Sequence, residues 1–243
     1  MAEGRHALLA VLVAAAVSVG GPALASGSKG GGQPDPHNAT FEEVVDYYES
    51  GRFAKDTARV AKRARKFLRK RLGGKPSRGH HAIVFDIDDT LLSTYECQRK
   101  HGDFGSTELA LCLIEETAQT TTGAGPGLPP IEPVRRLYNL AQRLRVRVFL
   151  ITGRPELLRR HSIDNLRARG FRGNFKLTMQ DTVGFLDNTL NGKSLVPYKA
   201  GERARIERSG WRILVNIGDQ QSDLDGGHAR RTYKVPNPMY FTP

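Results

Sequence analysis

The chain has 243 residues, enough for one large domain or two small ones. Its hydrophobic fraction of 39% and charged fraction of 26% are ordinary for a soluble globular protein, and after residue 25 no stretch is long and apolar enough to cross a bilayer, which excludes further membrane spans. The formal net charge of +12 favours contact with anionic substrates or surfaces but carries no information about the fold.

Residues 1–25 have the pattern of a cleaved signal peptide, which predicts a secreted or extracytoplasmic protein. Basic residues precede an apolar stretch, and Ala23-Leu24-Ala25 fits cleavage before Ser26. The apolar stretch is short and alanine-rich for a membrane span, and an uncleaved anchor is the alternative interpretation. Residues 26–39 are rich in glycine and proline and predict a flexible leader, so the folded domain is expected to cover residues 40–243.

The folded part begins with two predicted helices within residues 41–72, broken near Gly51. Thr40 and Glu43 have the spacing of a capping box at the start of the first helix. The second helix is strongly basic over residues 55–71 and carries an apolar stripe at helical spacing. Its basic side is either the solvated face of a docked helix or a patch that contacts an anionic surface or polymer. No specific nucleic-acid site is predicted, and the sequence leaves the oligomeric state open.

The stretch His81–Thr90 is a predicted buried strand that ends in three carboxylates. The apolar run over residues 82–85 is typical of a strand buried on both faces, and ligands of parallel sheets bind beyond the carboxyl ends of the strands. Asp86 and Asp88 lie two residues apart, so both can point towards one site. Because like charges held close are costly, the pattern favours a divalent metal, one attacking carboxylate and one that carries a proton. The alternative is a polar turn after a core strand.

An insert of about residues 92–130 follows this strand and contains both cysteines. A helix is predicted from Thr107 to Gln119, followed by a loop rich in threonine, glycine and proline. Two cysteines in an exported protein suggest one disulfide, Cys97–Cys112, and two buried thiols are the alternative. A closed zinc site is not expected, because a lone cysteine pair lacks the remaining ligands.

Strands and helices then alternate to residue 235. Helices are predicted over 132–144, 156–169 and 197–208, strands over 146–151, 175–179, 211–217 and 232–235, and a loop-rich segment over 181–194. This alternation predicts an α/β fold in which a parallel sheet has helices on both faces.

Two further strand ends carry polar groups. Thr152-Gly153 follows the second strand, and a hydroxyl followed by a glycine N–H can cradle a phosphate. Asp219 and Asp223 follow the fourth strand at a spacing that allows both carboxylates to face one metal. Because three strand ends in one sheet now carry such groups, coincidence is a poor explanation.

The order of these motifs resembles the haloacid dehalogenase superfamily of phosphotransferases, and most closely its acid phosphatase branch. That branch holds the class B-like acid phosphatases, the plant acid phosphatases and the vegetative storage proteins. The resemblance spans roughly residues 41–243. The matching motifs are Phe85–Ser93, Thr152-Gly153-Arg154, Tyr198-Lys199, Gly218-Asp219-Gln220 with Ser222-Asp223, and Lys234–Tyr240.

The resemblance implies a Rossmann-like core, a small cap inserted after the first strand, and Mg²⁺-dependent hydrolysis of small phosphomonoesters. By motif, Asp86 would be the nucleophile and Asp88 the general acid and base, whereas Asp89 is interpreted as structural. Thr152, Gly153 and Lys199 would bind the phosphoryl group. Mg²⁺ would be held by Asp86, the carbonyl of Asp88 and Asp219, and by Asp223 either directly or through water.

Two other functions compete with this hypothesis. One is a storage or binding protein that kept the fold and lost the chemistry; loss of the nucleophile would mark it, but Asp86 is present. The other is a polyanion-binding protein that uses the basic helix. The cysteine pair and the loop over residues 123–130 depart from the family pattern, and since a cap covers the leaving group, the substrate stays open.

Overall fold

A single parallel sheet forms the centre of the protein, whose computed structural model describes residues 32–243 apart from the side chains of residues 189 and 190. The predicted signal peptide and the first part of the leader lie outside the described residues. The strands are β1 (His81–Phe85), β2 (Arg147–Pro155), β3 (Phe175–Gln180), β4 (Arg212–Gly218) and β5 (Thr232–Lys234), in the order β3-β2-β1-β4-β5. All paired strands are parallel.

Strand β1 lies in the middle of the sheet and is buried on both faces. Ile83 and Phe85 belong to the larger hydrophobic core, whereas Ala82 and Val84 belong to a second core on the opposite face. This separation follows from the two-residue period of a strand. The predicted α/β fold is therefore confirmed, because both faces of the sheet are covered.

Helices cover the sheet and form the insert. They are α1 (Phe41–Glu49), α2 (Arg52–Arg71), α3 (Tyr95–His101), α4 (Ser106–Thr122), α5 (Glu132–Arg143), α6 (Arg159–Ala168), α7 (Thr182–Leu190) and α8 (Val196–Arg208), with short 3₁₀ turns at Glu156–Leu158 and Gln221–Asp223. Among residues 32–243, no helix combines the length and the apolar character that crossing a membrane requires.

The two N-terminal helices form as the sequence predicts. The N–H of Glu43 donates to the Thr40 hydroxyl at 3.2 Å, and the Thr40 N–H donates to the Glu43 carboxylate at 3.1 Å, which completes the capping box. Gly51 separates the two helices and has a φ of +75°, a conformation that favours glycine. Helix α2 then docks through a buried stripe against α5 and β5, so its basic residues face outwards.

The insert returns to the point where it left the sheet. The Ser93 N–H donates to the Pro129 carbonyl and the Ile131 N–H donates to the Leu91 carbonyl, each at 2.8 Å. Within the insert, a disulfide joins Cys97 on α3 to Cys112 on α4, with their Cα atoms 5.8 Å apart. The predicted disulfide is confirmed. We refer to residues 92–130 as the cap.

Helix α7 replaces part of the segment that the sequence predicts to be loop-rich. Its N-cap is Asp181, whose carboxylate accepts a hydrogen bond from the Gly184 N–H at 2.8 Å. The prediction was wrong because the glycine and asparagine content outweighed this capping signal. Strand β2 also continues through Thr152 and Gly153 to Pro155, beyond its predicted end at Ile151.

Helix α4 extends to Thr122, three residues beyond its predicted end. Threonine favours loops because its hydroxyl competes for backbone groups. Here the hydroxyls bond back to carbonyls of the same helix, with Thr120 donating to Glu116 at 2.9 Å and Thr122 donating to Ala118 at 2.8 Å. The threonines are therefore accommodated in the helix.

Candidate active site

A cavity of about 310 Å³ opens at the carboxyl edge of the sheet, between the strands and cap helix α4. Its apolar wall comes from the cap, from α7 and from the C-terminal segment, and includes Leu109, Leu113, Phe185 and Phe241. Its polar floor comes from the strand ends and from helix α8. The polar residues that line it include Asp86, Asp88, Arg154, Lys199 and Asp219.

Three predicted carboxylates meet beneath this cavity. Asp86, Asp219 and Asp223 each place one oxygen so that the three atoms lie within 4.8 Å of one another, and all three residues are buried. The ammonium of Lys199, also buried, donates to Asp86 at 2.8 Å and to Asp223. The structure thus brings together four of the predicted site residues, from the ends of β1 and β4, the turn Gln221–Asp223 and helix α8.

The charges of this group do not balance. If all three carboxylates are ionised, they face a single ammonium group, and two negative charges remain unbalanced in a buried site. Burial raises the pKa of Asp86; Lys199 opposes this shift and the neighbouring aspartates add to it. Burial, with the charge of Asp223, raises the pKa of Asp219 to about 6. An all-oxygen donor set with two unbalanced charges fits a hard divalent cation.

The carboxylate of Asp219 is held by three donors. It accepts hydrogen bonds from the Thr90 hydroxyl at 2.8 Å, the Gln220 amide at 2.7 Å and the Asn237 amide at 2.8 Å. Two of these donors come from distant parts of the chain. Because carboxylate orientation is fixed from several sides, Asp219 is prepared to present an oxygen to a ligand.

Asp223 is positioned through its backbone by Arg203. This arginine is 1% exposed, and its guanidinium donates to the carbonyls of Asp223 at 2.6 Å, Gly227 at 2.9 Å and Asp225. Arg203 lies one helical turn after Lys199 on α8, so one helix face serves both the cluster and the loop that carries Asp223.

Asp88 lies apart from the three clustered carboxylates and is paired with Arg154. The guanidinium donates to Asp88 through Nε at 3.0 Å and Nη2 at 2.7 Å, and its Nη1 donates to Glu116 of the cap and to Ser162. Burial lowers the pKa of Arg154, but Asp88 and Glu116 outweigh it, so the net shift is upward and the guanidinium stays charged. Asp88 is the partly exposed member, at 14% of its side chain.

Thr152 and Gly153 lie beside the site at the end of β2. Gly153 lines the cavity, whereas Thr152 is fully buried and its hydroxyl accepts the Arg154 N–H at 3.2 Å. A Cβ on Gly153 would come within 3.0 Å of Leu195, so a glycine suits this close approach. Phosphoryl binding by this pair stays a prediction.

The structure agrees with the interpretation of Asp89 as structural. It is fully buried, and its carboxylate accepts hydrogen bonds from the Thr94 N–H, the Thr94 hydroxyl and the Tyr240 hydroxyl at 2.9, 2.6 and 2.8 Å. Burial, with the charge of Asp219, raises the pKa of Asp89 to about 7. These contacts tie the turn after β1 to the C-terminal segment.

Several residues of the site carry no role in the sequence interpretation, among them Arg154, Glu116, Arg203, Asn237 and Tyr240. Asn237 and Tyr240 belong to a motif that was recognised but had no assigned task. The four-residue spacing from Lys199 could have pointed to Arg203, since both lie on one helix face. Nothing local marks Glu116, because its partner is 38 positions away in sequence.

Comparison with known proteins gives matches over most of the chain. The family model for HAD superfamily, subfamily IIIB (acid phosphatase), matches residues 35–243. Acid phosphatase 1 of Solanum lycopersicum is 33% identical over 168 residues, or 67% of this chain and 60% of that protein. Vegetative storage protein 2 of Arabidopsis thaliana is 32% identical over 163 residues, or 66% of this chain and 56% of that protein. This chain therefore spans less than two thirds of the length of either relative.

The fold also matches a solved structure. The class C acid phosphatase from Bacillus anthracis superposes with a TM-score of 0.59 at 18% sequence identity, covering 81% of this chain and 83% of that one. At this identity the similarity establishes a common fold and no more.

Proposed function

Because the chain belongs to subfamily IIIB of the HAD superfamily, the acid phosphatases, we propose that it is an exported, Mg²⁺-dependent acid phosphatase. Its substrates are small phosphomonoesters, and the reaction passes through a phosphoryl group carried by Asp86. The observation that carries this proposal is the contact of Lys199 with both Asp86 and Asp223 at the floor of an open cavity.

In the first step, one oxygen of the Asp86 carboxylate attacks phosphorus and the bond from phosphorus to the ester oxygen breaks. A carboxylate that approaches a phosphate dianion meets repulsion, so cations must lie at the site. Lys199 supplies one positive charge beside Asp86. Asp88 gives a proton to the departing alkoxide, which leaves as an alcohol.

In the second step, Asp88 accepts a proton from water while the water oxygen attacks phosphorus. The bond between phosphorus and the Asp86 oxygen breaks, inorganic phosphate leaves, and both aspartates return to their starting forms. Asp86, Asp219 and Asp223, with the Asp88 carbonyl, would hold Mg²⁺, which neutralises negative charge on the phosphoryl group when it is bound. Thr152, Gly153 and Lys199 bind that group.

The first experiment measures phosphate release from p-nitrophenyl phosphate with Mg²⁺, with EDTA, and with Mg²⁺ restored after EDTA. We expect turnover only when the cation is present, and none from Asp86→Asn. A folded wild-type protein that releases no phosphate in Mg²⁺ would overturn the function. Turnover that EDTA leaves unchanged would overturn the metal dependence alone.

The second experiment separates Asp86 from Asp88 by the quality of the leaving group. Nitrophenolate spreads its negative charge and leaves without a proton, whereas an alkyl alkoxide needs one; proton donation typically contributes ~10²–10⁴-fold. Asp88→Asn should therefore slow single-turnover phosphoryl transfer from an alkyl phosphate far more than from p-nitrophenyl phosphate. Equal losses on both substrates would contradict the acid role of Asp88.

The storage-protein alternative is favoured by the similarity to vegetative storage proteins 1 and 2 of Arabidopsis thaliana. The same phosphate-release measurement decides between the two, because a storage protein would fold and remain inactive in Mg²⁺. Retention of Asp86, Lys199, Asp219 and Asp223 in one buried cluster supports the enzyme.

Export rests on residues 1–25, with Ala23-Leu24-Ala25 before Ser26. N-terminal sequencing of the mature protein from the culture medium or extracytoplasmic fraction should begin at Ser26. A mature protein that begins near Met1 would contradict cleavage.

A further inference from the structure

A carboxylate of the cap, Glu116, reaches the catalytic edge of the sheet through Arg154. Its oxygens lie 2.9 and 3.1 Å from Nη1 of Arg154, and the Ser162 hydroxyl accepts from the same nitrogen at 2.7 Å. Nε and Nη2 of the same guanidinium hold Asp88. Since the guanidinium is planar and rigid, fixing its Nη1 end also fixes the orientation of the Asp88 carboxylate.

The two carboxylates that Arg154 contacts differ in their exposure to solvent. The side chains of Glu116 and Arg154 are 2% and 1% exposed, whereas Asp88 is 14% exposed and lines the cavity together with Arg154. Glu116 does not line the cavity. It therefore acts on the reaction only through Arg154 and has no direct contact with a substrate.

Both carboxylates accept charge-assisted hydrogen bonds from the same guanidinium, so Glu116 anchors the group that orients Asp88.

We infer that Glu116 of the cap is a positioning residue for Asp88, and that it supports proton transfer to the leaving group by holding Arg154 in place. This inference rests on the proposed phosphatase function. The alternative is an ion pair that only attaches the cap to the core, which would affect all substrates alike. Glu116 lies one helical turn after Cys112 on α4, so the disulfide anchors the turn that precedes the residue contacting Arg154.

The test compares phenyl phosphate with p-nitrophenyl phosphate in single-turnover measurements with enzyme in saturating excess over substrate. The two substrates share a ring and differ in their need for a proton. Glu116→Gln keeps the shape of the side chain and removes its charge. We expect it to slow transfer from phenyl phosphate by roughly 10-fold or more, within the ~10²–10⁴-fold that the complete proton transfer contributes, and to change transfer from p-nitrophenyl phosphate by less than about threefold.

The matched control is Glu115→Gln, the neighbouring residue on α4, which is 40% exposed and pairs with His101. It removes the same charge one position away and should leave the ratio of the two rates unchanged. Equal slowing of both substrates by Glu116→Gln, or no slowing, would overturn the inference while the wild-type phosphatase stays active. A wild type without turnover would instead remove the proposed function, and the inference with it.

Folding of each variant is checked by urea unfolding. If Glu116→Gln lacks the native transition, Glu116→Asp takes its place, because a side chain shorter by one methylene cannot contact Arg154 as Glu116 does. The loss with phenyl phosphate should again exceed the loss with p-nitrophenyl phosphate. A wild-type ratio in a folded Glu116→Asp protein would then count against the inference.

Discussion

Gly218, the last residue of β4, allows the closest approach in the site. A Cβ at this position would come within 2.3 Å of the Asp223 carboxylate and Cβ, closer than real contacts allow. The backbone of the strand end therefore serves as the surface against which Asp223 packs. Glycine is needed here because there is no room for a Cβ atom. Its backbone conformation does not require glycine, since its φ is not positive.

Gly218→Ala should displace Asp223 from the cluster. We expect a loss of about 1–3 kcal/mol in the free energy of unfolding, as overpacking typically causes, and weaker Mg²⁺ binding by calorimetry. The control is Gly201→Ala on α8, where a Cβ meets nothing within 4 Å and the helix should gain about 0.5–1 kcal/mol. Unchanged Mg²⁺ affinity in Gly218→Ala would contradict the role of this contact.

At the scale of single residues, the sequence predicted those site residues that a local sequence pattern marks. Asp86 and Asp219 each end an apolar strand, and β-strand geometry places them at one edge. Glu116 and Arg203 could not be predicted in the same way, because a lone glutamate or arginine on a helix is usually exposed. Their tasks depend on which backbone or side chain faces them after folding, and that is decided by tertiary packing.

Among the elements, helices α3 and α4 of the cap depend on a covalent connection. Helix α3 has only seven residues, which is too short to be stable in isolation, and the Cys97–Cys112 disulfide joins it to α4. The bonded residues are 15 positions apart. In the chain-entropy model, closing a loop of this length stabilises the folded state by ~3 kcal/mol.

Replacing both cysteines by serine should therefore lower the free energy of unfolding by about 3 kcal/mol, measured by urea titration of the oxidised wild type and the double variant. Reductant should lower the stability of the wild type in the same way and leave the double variant unaffected. Identical unfolding midpoints for the wild type with and without reductant would contradict a stabilising bond.

The order of elements along the chain was largely predictable, because alternation between apolar strands and amphipathic helices is a local pattern. Helix α7 was not, since its sequence has a weak hydrophobic pattern and is marked mainly by the Asp181 cap. The extension of β2 to Pro155 was also missed. That extension depends on pairing with Gln180 across the sheet, a contact that a single strand does not reveal.

For the molecule as a whole, helix α2 carries a dense run of positive charge. Helix α2 buries Val60, Ala61, Ala64 and Leu68 and turns its lysines and arginines outwards. The contact with an anionic surface through residues 55–71 remains a proposal. Its physical basis is charge density along one helix face, which attracts anions without specifying their structure.

Replacing Lys62, Lys66, Arg69 and Lys70 by glutamine should lower the salt concentration at which the protein elutes from an anionic resin, and should leave turnover of p-nitrophenyl phosphate unchanged. The control makes the same four-charge change at scattered exposed positions, namely Lys100, Arg172, Lys176 and Arg208. If both variants elute at the same salt concentration, helix α2 binds the resin only through its contribution to the net charge. A large fall in turnover for the helix variant would show that it takes part in catalysis.

The central place of β1 in the sheet has a kinetic consequence. Lys199 meets Asp86 across 113 positions, Asp219 meets Thr90 across 129, and Tyr240 meets Asp89 across 151. Contacts between such distant residues form late, since the entropy of closing long loops must be overcome first. During synthesis, the aspartates that follow β1 are therefore made long before the residues that contact them in the folded protein. Activity should return during refolding only with the slowest phase, well after the helices have formed.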